Sequence, residues 1–215
     1  MRIFFNTYIL AVAILFTSVL PDLKNCRATD TQQPEPAEKV TKEEIAGQVI
    51  FYSRTGNTRI VAEVIAEVLN LQLQEIKDLK DRSGFFGFVG GMIDVRKNPI
   101  TTISPETVNL GGHDVLFIGS PIWGMKLAPA ITTFLEGTEF SGKKVILFTT
   151  TSSRMKQSAF DEYSKLIQKK GGTVIDTFFL KTLWKESEEI RNEAQELVAE
   201  RTESWMKKIK TDEPH

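Results

Sequence analysis

The chain has little of what thiol, metal and imidazole chemistry require. Its 215 residues include one cysteine and two histidines, and one of the histidines is the last residue. A single cysteine excludes an internal disulfide and any Cys-x-x-Cys metal or redox site. Two histidines leave little for His-based catalysis or metal binding. We therefore assign neither a metal site nor a catalytic side chain from the sequence.

The chain also lacks an excess of positive charge. It has 27 Lys and Arg against 28 Asp and Glu, a formal net charge of −1. This is not the basic footprint of a nucleic-acid-binding protein, so we predict no nucleic-acid partner. With 41% apolar and 26% charged residues, the composition is that of a globular protein, and the length allows one ordinary domain.

The first 28 residues differ in composition from the rest. Arg2 precedes a mainly apolar run, Tyr8–Leu20, and a polar stretch follows that ends at Ala28; this is the order of a secretory signal. The run spans about 20 Å as a helix, short of the ~30 Å hydrocarbon core, whereas residues 3–20 would come close to spanning it. Residues 1–28 are therefore predicted to be a cleaved signal peptide or an anchor that tethers the chain to a membrane. Either way we expect the chain to be exported, secreted or periplasmic, or anchored at the outer face of a membrane.

Beyond this segment, the sequence predicts a linker, one domain and a short tail. Residues 29–46 are polar, charged and proline-bearing, as in a flexible linker. Residues 47–210 are predicted to form the domain, and residues 211–215 a disordered tail.

Within the domain, strand and helix patterns alternate. Strands are predicted at 48–53, 71–76, 115–119, 145–149 and 174–180, and helices at 58–69, 157–170 and 186–209. This order predicts an α/β fold, a parallel sheet with helices on both faces, whose ligands bind at the carboxyl ends of the strands.

A hydroxyl-rich turn, Ser53–Thr58, follows the first predicted strand. Gly56 would let backbone N–H groups converge, and the helix that follows directs its positive N-terminus there, so the turn is typical of an anion site. The alternative is an ordinary helix cap, which needs only one such hydroxyl. There is no GxxxxGK[ST] motif, which argues against a nucleotide triphosphate site.

Two further segments follow strands that should end at the same edge of the sheet. Gly119–Pro129 carries Trp123, which we place in a loop between Pro121 and Gly124. A planar apolar side chain there suits stacking on a planar ligand, and the alternative is an indole that packs against its own loop. The segment Thr149–Ser153 offers hydroxyls and amides to a ring edge, or simply caps the next helix. A phosphate turn, a stacking aromatic and a polar third loop are together what a flavin mononucleotide (FMN) requires.

These three segments resemble the FMN-binding loops of the flavodoxin family, and the resemblance covers nearly all of residues 47–210. It implies a doubly wound five-stranded parallel sheet of strand order 2-1-3-4-5 with non-covalently bound FMN. By the match, Ser53–Thr58 corresponds to the phosphate loop, Trp123 to the aromatic over the isoalloxazine, and Gly124 with Met125 to the peptide that meets flavin N5. The implied FMN-binding residues are Ser53, Arg54, Thr55, Gly56, Asn57, Thr58, Ser120, Pro121, Ile122, Trp123, Gly124, Met125, Thr150, Thr151 and Ser152.

The resemblance implies an electron carrier whose FMN cycles through a semiquinone, with redox proteins or a small quinone-like acceptor as partners. Two alternatives stay open: an FMN-dependent NAD(P)H:quinone-type oxidoreductase, and a non-catalytic binding module on the same fold. The chain departs from the family pattern because its third loop has no second stacking tyrosine, so that one flavin face is open or covered by Met155. It also departs in Lys126, where acids are common, since a cation near the ring would ease reduction. The Phe- and Gly-rich segment 83–99 is interpreted as plain packing, with a lid or a docking patch as alternatives.

Overall fold

The fold described here is a computed structural model of the chain. It describes residues 45–82, 100–153 and 158–211, and residues 87, 90, 93 and 95 between them. The predicted signal or anchor (1–28), most of the predicted linker and nearly all of the predicted tail lie outside these residues. So do Met155 and most of the segment 83–99.

The described elements follow one another along the chain as β1 (Gly47–Phe51), α1 (Asn57–Leu69), β2 (Gln72–Glu75), β3 (Lys77–Asp78), β4 (Ile103–Ser104), β5 (Val115–Trp123), β6 (Lys126–Leu127), α2 (Pro129–Gly137), β7 (Lys144–Thr151), α3 (Ser158–Lys169), β8 (Thr173–Lys181) and α4 (Ser187–Lys210).

A mostly parallel sheet forms the centre of the fold. Its strands run in the order β2-β1-β5-β7-β8, and every pair of neighbours along this path is parallel. This confirms the predicted doubly wound sheet and its order. A short sixth strand, β6, pairs antiparallel with β5, and β3 and β4 form a separate two-stranded sheet.

Successive side chains of the central strands pack into two separate hydrophobic cores, one on each face of the sheet. In β1, Val49 and Phe51 pack with α1 and α4, whereas Ile50 and the next residue after the strand, Tyr52, belong to the core with α2 and α3. The pleat explains this division, since successive side chains of a strand point to opposite faces. Strands buried on both faces are therefore continuous apolar runs in the sequence, as at 115–118.

Two strands run further than the sequence predicts. The strand β5 continues to Trp123 because β6 folds back and pairs with it, Ile122 opposite Leu127. The strand β7 continues to Thr151 because β8 pairs alongside it as far as Lys181. Segments that we predicted to be loops are thus strand ends that stand at the carboxyl edge of the sheet.

The helix α3 ends at Lys169, one residue before its predicted end, and a glycine pair follows at Gly171 and Gly172. Gly171 has φ +83°, its N–H donates to the Gln168 carbonyl at 3.0 Å, and the Gly172 N–H donates to the Ile167 carbonyl at 3.0 Å. These two bonds are those of a Schellman motif. Within the described ranges, none of the helices is long and apolar enough to cross a membrane.

Candidate functional site

The turn between β1 and α1 leaves the start of the helix open to an anion. Gly56 stands at the N-cap with φ +96°, no side chain caps the described helix by a hydrogen bond, and its first turn holds no acidic residue. Ser53 Oγ instead accepts the N–H of Gly56 at 3.1 Å, within the turn. The alternative of an ordinary Ser or Thr cap is therefore not what the structure shows. The positive end of the α1 dipole has no described side-chain acceptor.

A buried hydroxyl pair joins this turn to the end of β7. The oxygens Thr58 Oγ1 and Thr150 Oγ1 are 2.7 Å apart, and Thr58 is 1% exposed. One hydroxyl donates to the other, so the second hydroxyl keeps its own hydrogen for a further acceptor. The pair fixes the first and third predicted loops relative to each other.

We predicted that Trp123 lies in a loop, but this is wrong. Trp123 is the last residue of β5 and is followed by a tight hairpin. The two residues between β5 and β6, Gly124 and Met125, have φ +54° and +74°. Positive φ at both central residues is the type I′ geometry that suits the twist of a two-residue hairpin. Ser120 stabilises the hairpin, because its buried Oγ accepts the N–H of Ala128, the residue after β6, at 2.9 Å.

Trp123 is only 4% exposed, and among the described residues Tyr52 and Arg82 contact its indole. Tyr52 contacts it edge-on, with ring centroids 5.9 Å apart and planes at 80°. The guanidinium carbon of Arg82 lies 5.7 Å from the centroid of the indole ring. Burial, and next the nearby carboxylate of Asp78, raise the pKa of Tyr52 to about 12, so its phenol is neutral at ordinary pH.

A cleft at the carboxyl edge brings residues from all three predicted loops together. It is lined by Arg54, Thr55, Asn57, Pro121, Ile122, Trp123, Thr150, Thr151, Ser152 and Thr182. Nine of these ten are predicted site residues. The other predicted residues, Ser53, Gly56, Thr58, Ser120, Gly124 and Met125, are not part of this lining, and the bonds described above show that several of them shape the loops. The volume, about 150 Å³, is below the ~300 Å³ usual for enclosing pockets, so a ligand held here would stay partly exposed.

Thr182 is the cleft residue that the sequence analysis missed. It follows β8, is buried, and its N–H donates to the Thr151 carbonyl at 2.9 Å. Its place two residues beyond the end of the last predicted strand, at the edge where ligands bind in such sheets, could have indicated it. A second cleft, of about 340 Å³, adjoins the turn on the side of β2 and shares Arg54 with the first; Tyr52, Ser53 and Arg82 also line it.

The charge of Lys126 is partly offset by a partner. Its Nζ lies 3.2 Å from Glu162 Oε1, at an exposed position. An exposed pair of this kind is weak, but the neighbouring carboxylate reduces the field that we expected from a lone cation. The structure does not describe Met155, so the open or covered state of the second ligand face stays a prediction.

Comparison with known proteins finds that this architecture is similar to that of flavodoxins and other flavoproteins. A family model described as "Flavodoxin" matches residues 90–189. A protein of Bacteroides uniformis described as a flavoprotein is 21% identical, with a TM-score of 0.57 over 73% of this chain and 99% of that one. The flavoprotein of Lactobacillus acidophilus in complex with FMN is 20% identical, with a TM-score of 0.53 over 63% and 93%. No protein of curated function matches the sequence.

The sheet order and the carboxyl-edge cleft define an α/β protein of the doubly wound type. The chain is flavodoxin-like in its fold and, over residues 90–189, in its sequence.

Proposed function

We propose that the chain binds FMN non-covalently in the carboxyl-edge cleft and transfers electrons between redox partners. The observation that carries this proposal is the meeting of three strand ends in one cleft. They contribute the turn after β1, the indole of Trp123 at the end of β5, and the hydroxyls of Thr150 and Ser152 at the end of β7. In this proposal the turn after β1 binds the phosphate, Trp123 forms an aromatic wall against the flavin ring, and Thr150 and Ser152 offer hydroxyls to the edge of the ring.

Each part fits one portion of the cofactor. Arg54, Thr55 and the uncapped start of α1 suit a phosphate, because amides, a hydroxyl and the helix dipole all favour an anion. Gly56 suits the turn because its φ of +96° is strained for other residues and the space beside it is open. Trp123 supplies a planar apolar side chain that suits the ring system. Because Trp123 is only 4% exposed, a covering side chain has to move off its indole before the ring can stack on it. Bound FMN would supply the redox chemistry, and the protein would supply binding, orientation and the local field.

The comparison supports the choice of FMN. The Lactobacillus acidophilus flavoprotein, which is in complex with FMN, shares the fold of this chain. At 20% identity this likeness extends to the fold alone, so the assignment of FMN here depends on the residues that line the cleft.

A second candidate function is an FMN-dependent NAD(P)H:quinone-type oxidoreductase. The observation that favours it is the composition of the described third loop, Thr149–Ser153, which carries hydroxyls and no aromatic side chain. None of these five residues would cover the outer face of the ring, so a substrate could approach it. Steady-state oxidation of NADH or NADPH with a quinone acceptor separates this enzyme from a carrier, which would show no such turnover.

The test begins with the purified chain and its visible spectrum, followed by release of the chromophore by heat and its mass. Yellow protein with one FMN per chain is the expected result, and photoreduction in the presence of a reference redox dye would then give the potentials of its one-electron steps. A colourless protein that also fails to bind added FMN would overturn the proposal. In that case the third alternative, a non-catalytic module, would account for the fold.

The proposed site of action is outside the cytoplasm, on the basis of Arg2 and the apolar run Tyr8–Leu20. Cell fractionation and the intact mass of the isolated protein test this. A mass that lacks about 28 residues supports a cleaved signal, and a full-length chain in the membrane fraction supports an anchor. A full-length protein in the cytoplasm would contradict both.

A further inference from the structure

A buried ion pair lies behind the aromatic wall of the proposed FMN site. Arg82 Nε is 2.5 Å from Asp78 Oδ2, and the two side chains are 3% and 2% exposed. The other carboxylate oxygen, Asp78 Oδ1, accepts the Thr101 hydroxyl at 2.7 Å and the Lys80 N–H at 3.0 Å. Both oxygens of the Asp78 carboxylate thus have donors. These bonds fix the carboxylate, and the carboxylate in turn holds the Arg82 guanidinium in place.

Burial of such a pair is not explained by stability alone. Removing two charges from water costs free energy that their mutual attraction often only offsets, and apolar replacements are frequently neutral or stabilising. A role in holding a neighbouring group is a more specific explanation, and the neighbour of Arg82 is a site residue. Its guanidinium carbon lies 5.7 Å from the centroid of Trp123.

The two groups adjoin different clefts. Trp123 lines the proposed FMN cleft, whereas Arg82 lines the second cleft on the side of β2. Arg82 is not among the residues that line the proposed FMN cleft, so its guanidinium contacts the indole from outside that lining. Tyr52 contacts the same indole edge-on. Arg54, from the phosphate turn, donates its Nε–H to the Arg82 carbonyl at 3.1 Å, which ties this support to the turn.

We propose that Arg82, held by Asp78, is a positioning residue that orients the Trp123 indole for the planar ring of the flavin. This inference rests on the proposed FMN site and goes beyond it by naming what prepares the aromatic wall. An indole held in place before binding loses less freedom on binding, so the support increases affinity. A cation at one face also attracts the ring electrostatically and limits its rotation.

The test uses the full chain labelled with 5-fluorotryptophan, which gives one ¹⁹F resonance for each of the three tryptophans. Arg82→Met removes the guanidinium and keeps an unbranched apolar side chain, and Arg82→Lys keeps the charge but loses the planar group. The matched control is Arg201→Met. Arg201 also pairs with a carboxylate, Asp176 at 2.8 Å, and also lies over an aromatic ring, Phe178 at 5.4 Å, away from the FMN cleft.

We expect Arg82→Met to shift or broaden the Trp123 resonance in the protein without flavin. We also expect it to weaken FMN and riboflavin equally, by about tenfold, because both ligands carry the ring and only one carries the phosphate. Arg82→Lys should show the same changes to a smaller extent. Arg201→Met should leave the Trp123 resonance and both affinities unchanged.

An unchanged Trp123 resonance with affinities within about twofold of the parent would overturn the inference, even if the variant melts at a lower temperature. Arg82→Lys carries the test if Arg82→Met does not fold, and the same unchanged result with it would also overturn the inference. If the parent protein binds neither flavin, the proposed function fails. The ¹⁹F resonance would then still show whether Arg82 orients the indole, so the two failures are distinguishable.

Discussion

The hydroxyl oxygens of Thr58 and Thr150 lie 2.7 Å apart and join the first turn of α1 to the end of β7. The two residues are 92 positions apart in the chain and both are buried. Because β5 lies between β1 and β7 in the sheet, this bond links the turn after β1 to the end of β7 across one intervening strand. The shape of the candidate site thus depends on a contact between two of its loops.

Replacing one partner of this pair should destabilise the fold. Thr150→Val leaves the buried Thr58 hydroxyl without that partner, at a cost of about 1–2 kcal/mol, and Thr58→Val should act similarly. The double variant should cost less than the sum, since neither hydroxyl then remains to be satisfied. Urea denaturation of the four proteins gives the coupling free energy. Strictly additive effects would show that the bond does not contribute.

A substitution at Thr55 tests the proposed phosphate contact separately from the proposed contact with the flavin ring. Thr55 lines the cleft, unlike the buried Thr58. Thr55→Ala should weaken FMN by about 10- to 100-fold, the usual loss for a hydrogen bond to a charged group, and leave riboflavin nearly unchanged. Binding titrations with the two flavins measure this difference, with Thr107→Ala at an exposed position as control. Equal weakening of both flavins would rule out a phosphate contact at Thr55.

Gly56 tests the backbone of the same turn. Its φ is +96° and nothing lies within 4 Å of an added Cβ, so Gly56→Ala introduces backbone strain without a clash. We expect a loss of about 1–2 kcal/mol of stability and weaker FMN binding, because the strained turn moves its amides. Gly137→Ala is the control, since Gly137 ends α2, has equally open space and lacks a positive φ. That variant should be neutral or slightly stabilising; a similar loss in both would contradict the assigned role of the turn.

Tyr52 should make the fold sensitive to alkaline pH. Its pKa is about 12 in the native protein against about 10 in the unfolded chain. The unfolded state therefore releases this proton first, so the stabilising contribution is complete below about pH 10 and is lost as pH rises toward 12. Tyr52→Phe removes this dependence. Unfolding free energies at about pH 9 and about pH 11 measure it, and an equal loss in parent and variant would contradict the prediction.

Most of the fold could be predicted from the sequence because its signals are local. The apolar run at 115–118 has to be covered on both faces, and the spacing of buried residues in α1 and α4 is helical. The glycine pair that ends α3 acts through bonds to residues a few positions away. The lengths of β5 and β7 were underestimated. Their last residues are in strands because they pair with residues as far along the chain as Leu127 and Lys181, and no local sequence pattern indicates that pairing.

The alternation of strands and helices follows from local sequence patterns, and with it the edge of the sheet where the predicted site residues lie. The hydroxyl turn also follows from the sequence, since Gly56 and its neighbours act within a few residues of one another. The hydrogen bond between Thr58 and Thr150, the place of Thr182 in the cleft and the position of Arg82 over the Trp123 ring depend on the tertiary structure. These are contacts between side chains far apart in the chain, and their energies depend on burial and distance, which arise only when the sheet has formed.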